Sequence, residues 1–306
     1  MTAVCDKCSS ASVHFVRYSG QHLCSRHFLD MIRRRFRKEM RSQKVLVEHE
    51  HIAVALSGGK DSVLTLELVN EITREIPQIE LTAVTIDEGI DGYRPSSLDI
   101  AREQINRLDV NWEVRTFRDL FSMSLDDMLT RTETGPCTVC GILRRKALNQ
   151  LCRDIGADVL VTGHNLDDTA QTILMNVMQA QPDRLRRLGP HIEPIPGLVP
   201  RAMPLRSTPE TETYLCAYLM GLPIHQVECP YAIAAKRGIY RDLLLKAEQE
   251  TPGTRHSLLR FHEKVASFIP VENTDMGRCS ICGEMSPLGE GRTICRACEL
   301  LSDIGV

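Results

Sequence analysis

Leu56-Ser57-Gly58-Gly59-Lys60-Asp61-Ser62 follows directly on the apolar run His51-Ile52-Ala53-Val54-Ala55, and this junction decides the fold. The run reads as a buried strand, and Asp61 and Ser62 read as the opening of a helix. Gly58 and Gly59 between them let backbone N–H groups approach an anion closely, and a helix N-terminus adds a favourable dipole. The stretch is therefore a phosphate cradle. Its order differs from the common mononucleotide loop, which needs a glycine, four residues and then Gly-Lys-Ser/Thr.

Working outward, Val45–Leu56 is the first expected strand, followed by a helix over Ser62–Ile76. Strands at Ile79–Ile86, Asn111–Phe117 and Val159–Thr162 alternate with helices at Pro95–Leu108 and Gly141–Ile155. Such alternation predicts an α/β fold with a doubly wound parallel sheet. Ligands in these folds bind beyond the carboxyl ends of the strands. Ser57–Ser62, Asp87-Glu88-Gly89 and Gly163-His164-Asn165 all follow strands and should converge there. Asp167 and Asp168, opening the next helix, suit either Mg²⁺ binding or simple first-turn stabilisation by the helix dipole. Pro182–Pro204 carries Arg184, Arg186, Arg187 and Arg201 without periodicity, which predicts a loop acting as a lid or an RNA contact. Further helices are expected over Thr208–Leu219, Tyr240–Glu250 and Arg255–Phe268.

A chain of 306 residues can bury such a core and still carry appendages. No apolar run of about 18 residues is present, so no membrane span is expected. The opening Met1-Thr2-Ala3-Val4-Cys5 lacks a secretory pattern, so a cytoplasmic protein is expected. Net charge is −3, yet Arg26–Lys44 holds eight basic residues against Asp30 and Glu39. That local excess fits either a phosphate-backbone contact or a solvated helix face.

The chain has twelve cysteines, eight of them in C-x2-C pairs, which favours metal over disulfides here. Cys5-x2-Cys8 and Cys24-x2-His27 form one four-ligand set, and Cys279-x2-Cys282 with Cys295-x2-Cys298 forms another. Both suit closed, structural zinc, which gives small modules the folding energy their cores lack. The middle pair, Cys137-x2-Cys140, has no second pair, and Cys229 before Pro230 is the remaining ligand candidate. Cys152 and Cys216 sit in helical apolar rhythms and read as core. Three thiolates leave zinc, a Cys137–Cys140 disulfide and a three-cysteine [4Fe–4S] cluster open on spacing alone. The expected domains are 1–44, a zinc finger with a basic helix; 45–270, the nucleotide-binding core; and 271–306, a zinc ribbon.

The Ser-Gly-Gly-Lys-Asp-Ser loop resembles the PP-loop of adenylating ATP pyrophosphatases. Together with the terminal ligand sets, the central cysteines and Gly163-His164-Asn165-Leu166-Asp167-Asp168, it makes the whole chain similar to the tRNA 2-thiouridine synthetases of the Ncs6/TtuA type. The resemblance implies that ATP lies against Ala55, Ser57, Gly58, Gly59, Lys60, Asp61, Ser62, Ile86, Arg144, Gly163 and Asp168. It implies that Cys137, Cys140 and Cys229 hold an iron–sulfur cluster whose free iron carries hydrosulfide. The expected reaction adenylates the uracil O2 of a tRNA uridine and lets sulfur displace AMP, with Lys60 and Mg²⁺ offsetting pyrophosphate charge. Catalytic roles fall on Lys60, Asp61, Asp168 and the three cysteines. A persulfide relay without iron is the rival account of those cysteines. Arg144 stands where TtuA-type members use a lysine, and the Arg144-Arg145 pair favours position 34 of tRNA over position 54. Arg33, Arg34, Arg35, Arg37 and Lys38 are the expected tRNA contacts. A homodimer is implied, and sulfide, a persulfide or a thiocarboxylated ubiquitin-like protein is the sulfur donor. Cytidine 2-thiolation and a zinc-dependent RNA-binding protein with a non-catalytic nucleotide site are the competing readings.

Overall fold

The computed structural model describes residues 3–47, 49–193, 195–234, 237–269, 276–288 and 291–306. A hairpin of β1 (His14–Val16) and β2 (Gln21–Leu23) leads into α1 (Ser25–Ser42). The central sheet contains β3 (His51–Ala55), β4 (Glu80–Asp87), β5 (Asn111–Thr116), β6 (Val159–Val161) and β7 (Arg201–Ala202). All pairings in it are parallel, in the order β5-β4-β3-β6-β7. The doubly wound sheet read from the sequence is therefore present. The chain runs outward from β3 to β5 and returns to β3's other side at β6. This reversal of winding opens a crevice at the carboxyl ends of β3 and β6.

Two crossover helices, α2 (Lys60–Thr73) and α3 (Arg94–Leu108), connect the first three of these strands. Short α4 (Phe117–Phe121) and α5 (Leu125–Leu129) precede α6 (Pro136–Asp154), and α7 (Leu166–Met178) and α8 (Pro182–Arg186) lead towards β7. Beyond the sheet come α9 (Glu210–Leu219), α10 (Arg237–Glu250) and α11 (Thr254–Val265). A second hairpin, β8 (Met276–Arg278) with β9 (Met285–Pro287), and α12 (Arg296–Ile304) close the chain. Among the described residues, no helix is long and apolar enough to cross a membrane.

Ile52, Ala53 and Val54 are fully buried, as a central strand covered on both faces requires. Strand alternation splits them: Ile52 and Val54 join one apolar cluster and Ala53 the other. Phe28, Ile32, Phe36 and Met40, spaced four apart on α1, put the N-terminal hairpin into the first cluster. Cys279, Cys295 and Leu300 put the C-terminal module into the second, beside Leu143 and Leu151 of α6. Each end of the chain thus anchors on one face of the sheet.

Two expectations change, and a third is untested. The first strand is shorter than Val45–Leu56, because Lys44 takes a left-handed conformation (φ 53°) and the Val45 N–H turns back to the Met40 carbonyl. Pro182–Pro204 is not all loop: Pro182 opens α8, and Arg201 pairs at the sheet edge after His191 folds back on it. The expected boundary at 270/271 lies outside the described residues.

Candidate active site

The phosphate loop is closed by its own serines. Ser62 Oγ donates to the Gly59 carbonyl (2.8 Å), accepts from the Ser57 N–H (3.1 Å) and lies 3.0 Å from Ser57 Oγ. At Gly58 (φ +85°) a Cβ would lie 2.2 Å from the Ser97 carbonyl oxygen of α3, so only glycine fits. At Gly163 a Cβ would press on the Asp61 backbone at 2.8 Å. Gly163 therefore permits β6 to end against the first turn of α2. Arg94, buried at the start of α3, donates to the carbonyls of Ser57 (3.3 Å) and Ile86 (2.6 Å) and ties the loop to β4.

A cavity of about 340 Å³ opens where these elements meet. From the first crossover it is lined by Ala55, Ser57, Gly59, Asp61 and Ser62, and from β4 by Ile86 and Glu88. Arg144, Gly163, His164 and Asp168 form the facing walls. Gly58 and Lys60 are outside this lining. Lys60 Nζ instead contacts Asp61 (3.0 Å) and Glu210 (2.7 Å). Burial opposes its charge, but those carboxylates outweigh burial and raise its pKa.

Burial raises the Asp61 pKa, Asp168 adds to the rise, and Lys60 with Thr213 offsets part of it. Burial likewise raises Asp168, with Glu210 adding and Arg237, 3.5 Å away, opposing. Two carboxylates that share a cavity and resist ionisation fit a divalent cation with oxygen preference. Asp167 departs from that role. Its carboxylate accepts from the Glu210 N–H (2.7 Å) and pairs with Arg255, holding α9 and α11 in place.

The helix α6 begins at Pro136, so Cys137 lies in its first turn and Cys140 opens its second, neither in a preceding loop, with proline in the position it tolerates. Cys229 arrives after α9 on a segment stitched to the phosphate loop: the His225 N–H donates to the Gly58 carbonyl (2.9 Å). All three thiols are free; Cys137 is exposed and the others half-buried. Burial pushes Cys140 up to about 11, with Glu88, Cys229 and Cys137 adding and Arg144 opposing. The three thiols are near enough to influence one another electrostatically, but they are not among the groups whose ligand atoms lie within 4.8 Å of one another. Glu88, ion-paired to Arg94 (3.0 Å) and Arg144 (3.4 Å), stands between the cysteines and the nucleotide cavity. Cys152 and Cys216 are fully buried, and burial raises both to about 12, as core thiols.

At the two ends the ligand atoms of Cys5, Cys8, Cys24 and His27, and of Cys279, Cys282, Cys295 and Cys298, all lie within 4.8 Å of one another. His27 turns Nδ1 towards Cys5 (3.3 Å) and Cys24 (3.4 Å). Gly283 (φ +70°) makes the tight turn of the last set. The donor chemistry and closed geometry fit one zinc ion each.

The basic helix divides. Arg33 grips Glu71 in a two-pronged pair (2.7 and 2.8 Å), and Arg35 binds Glu212 (2.7 Å) and Tyr18 (2.5 Å). Arg34, Arg37 and Lys38 are exposed. Sequence reasoning placed Glu88 at the cleft, in Asp87-Glu88-Gly89, but missed Arg94, Arg237, Glu210 and Thr213. Thr213 donates to Asp61 Oδ1 at 2.5 Å across 152 residues, and no local pattern signals such a contact.

With this geometry in view, residues 29–196 match the PP-loop domain, and residues 4–29 match the N-terminal LIM domain of the 2-thiouridine synthetase TtuA. The chain is 37% identical to the tRNA 2-thiolation protein NcsA of Haloferax volcanii, covering 98% of both chains. It is 34% identical to the cytoplasmic tRNA 2-thiolation protein 1 of Bos taurus, covering 98% of this chain and 87% of that one. Among solved structures it resembles the U34-tRNA thiolase NcsA from Methanococcus maripaludis with its [4Fe-4S] cluster, at a TM-score of 0.88 and 32% identity. That match covers 100% of this chain and 98% of the other.

Proposed function

The chain belongs to the Ncs6/TtuA family of PP-loop tRNA 2-thiolation proteins, and from that premise we propose that it uses ATP to replace the 2-oxygen of a tRNA uridine with sulfur. The observation carrying this reading is the shared wall: Glu88 and Arg144 line the nucleotide cavity and stand beside Cys140 and Cys229. An adenylation site and a sulfur site must adjoin for one uracil carbon to visit both.

The reaction divides into two balanced steps. Uracil O2 attacks the α-phosphorus of ATP, and the bond to pyrophosphate breaks. Sulfide then adds to C2, and the C2–O bond breaks to release AMP. Ser57, Gly59 and Ser62 hold the phosphates, and Asp61 with Asp168 holds Mg²⁺. Lys60, freed from Glu210, offsets charge on the departing pyrophosphate, while Arg144 steadies the α-phosphate. When bound to Cys137, Cys140 and Cys229, a [4Fe–4S] cluster supplies an open iron that keeps sulfide deprotonated. The two zinc sets support folding of the modules 1–44 and 271–306 around the 45–270 core.

Position 34 is the favoured uridine, on Arg144-Arg145 and on the named specificity of the Methanococcus relative. Arg34, Arg37 and Lys38 contribute a backbone contact, whereas Arg33 and Arg35 serve the fold. A homodimer, a cytoplasmic setting like that of the bovine relative, and a sulfide, persulfide or thiocarboxylate donor complete the reading. The test is pyrophosphate release with and without unmodified tRNA, followed by mapping of the modified fragment. Release stimulated by tRNA, with 2-thiouridine at position 34, is expected. Release indifferent to tRNA, with no thiolated base, would refute the proposal.

A further inference from the structure

A second cavity, about 1110 Å³ and over three times the size of the nucleotide cavity at about 340 Å³, runs between α6 and the C-terminal module. Its floor comes from the segment around α8 and β7. Cys137 lies in its wall and Arg237 lines both cavities, so the groove opens onto the reaction centre.

Its charge is one-sided. Arg145, Arg184, Arg187 and Arg201 line it, and among the described residues none has a carboxylate partner. Arg292 and Arg296, from the C-terminal module, share the single carboxylate of Glu299. Lys146 is neutralised by Glu284 (2.6 Å). Burial lowers the Arg145 pKa, and the charges of Arg201, Arg144 and Arg184 lower it further. Mutually repelling guanidinium groups around a groove, in a chain of net charge −3, imply an anion that neutralises them.

We infer that this groove, walled on one side by the C-terminal metal module, seats the RNA backbone leading to the reacting uridine, and that α1 is at most an accessory contact. The inference rests on the thiolation reading above. A trail of separated arginines matches successive phosphates, whereas a small anion would be satisfied by one or two of them. Among the described residues no tryptophan, tyrosine or phenylalanine lines the groove, so recognition here is of the backbone and not by base stacking. The C-terminal module then does two jobs: it folds around its ligand set and it completes the substrate path.

The test compares full-length R184A/R187A, R292A/R296A and R34A/R37A/K38A with the wild type, by anisotropy of a labelled unmodified tRNA across a salt series. Zinc content and ATP binding are checked to be unchanged. Each groove variant is expected to bind about ten-fold or more weakly and to lose about one to two from the log–log salt slope. R184K/R187K, which keeps the charge, is expected to recover. Groove variants with wild-type affinity and slope would overturn the inference, as would a lysine variant as weak as the alanine one. A wild-type chain that binds no tRNA would overturn the thiolation reading and this inference with it.

Discussion

The two ends of the chain and its middle all place a ligand pair at the start of a helix. Cys24 and Cys295 are the N-cap residues of α1 and α12, with His27 and Cys298 in the first turns. Cys137 lies in the first turn of α6 and Cys140 opens the second. A helix start favours thiolate through its dipole, which explains the shared device. What lies opposite differs. At the ends a second pair on a tight turn completes four donors within 4.8 Å. In the middle only Cys229 arrives, Cys137 stays exposed, and Glu88 and Arg144, which line the nucleotide cavity, act on the charge of Cys140 and Cys229. Identical spacing therefore gives four clustered ligands where two pairs meet, and an open set where a single cysteine answers, which is the set proposed to do the chemistry.

Deleting one ligand from each kind of site sharpens this contrast most. Cys279→Ala should halve the zinc content and unfold the C-terminal module, since structural zinc contributes on the order of 10 kcal/mol in such modules. Metal analysis and limited proteolysis read both effects. Cys229→Ala should abolish iron binding and thiolation while leaving zinc, ATP binding and the melting temperature near wild type. A large drop in melting temperature would mean that the middle site is structural after all.

A smaller effect concerns how the N-terminal end docks. Buried Glu212 of α9 binds Arg35 and Tyr18, with His14 at 3.7 Å. Burial alone would raise its pKa, but His14, Arg35 and Tyr18 outweigh burial and depress it below the usual 4.5. A depressed carboxylate stabilises the fold above its unfolded pKa and loses that contribution as pH falls through the folded one. Acid below about pH 4.5 should therefore weaken docking in the wild type. Glu212→Gln should cost about 3 kcal/mol at neutral pH, because Arg35 is left with a buried uncompensated charge, and should flatten that acid dependence. Thermal unfolding across pH measures both.

The smallest effect expected is at the middle site's edge. Thr213→Val removes the hydrogen bond to Asp61 and should slow pyrophosphate release about 5–30-fold, equivalent to roughly 1–2 kcal/mol. Equal loss of ATP affinity and rate would recast Thr213 as a binding residue.

Much of this was legible in the chain. Glycines, a lysine and two acidic helix starts after strands are local signals; of the residues singled out from them, Ser57, Gly59, Asp61, Ser62, Gly163 and Asp168 line the cavity, while Gly58 and Lys60 do not. The terminal ligand sets are local for the same reason. The arginine run on α1 misled in part, because Glu71 and Glu212 lie 38 and 177 residues from the arginines they neutralise. A charge run shows the cations and hides their partners. The groove was legible only in part: Arg184, Arg187 and Arg201 read as a lid or an RNA contact, but Arg145 of α6 and Arg292 and Arg296 of the C-terminal module join them only through packing.

The central claim is that the open middle site performs the sulfur chemistry and the closed ends do not. The direct measurement is an anaerobic reaction of the protein with ATP, Mg²⁺, sulfide and unmodified tRNA, read by mass spectrometry of the tRNA. It is run on cluster-loaded protein and on the same protein stripped of iron with both zinc ions retained. The account predicts 2-thiouridine from the loaded protein alone. Equal thiolation by the iron-free, zinc-loaded protein would contradict it.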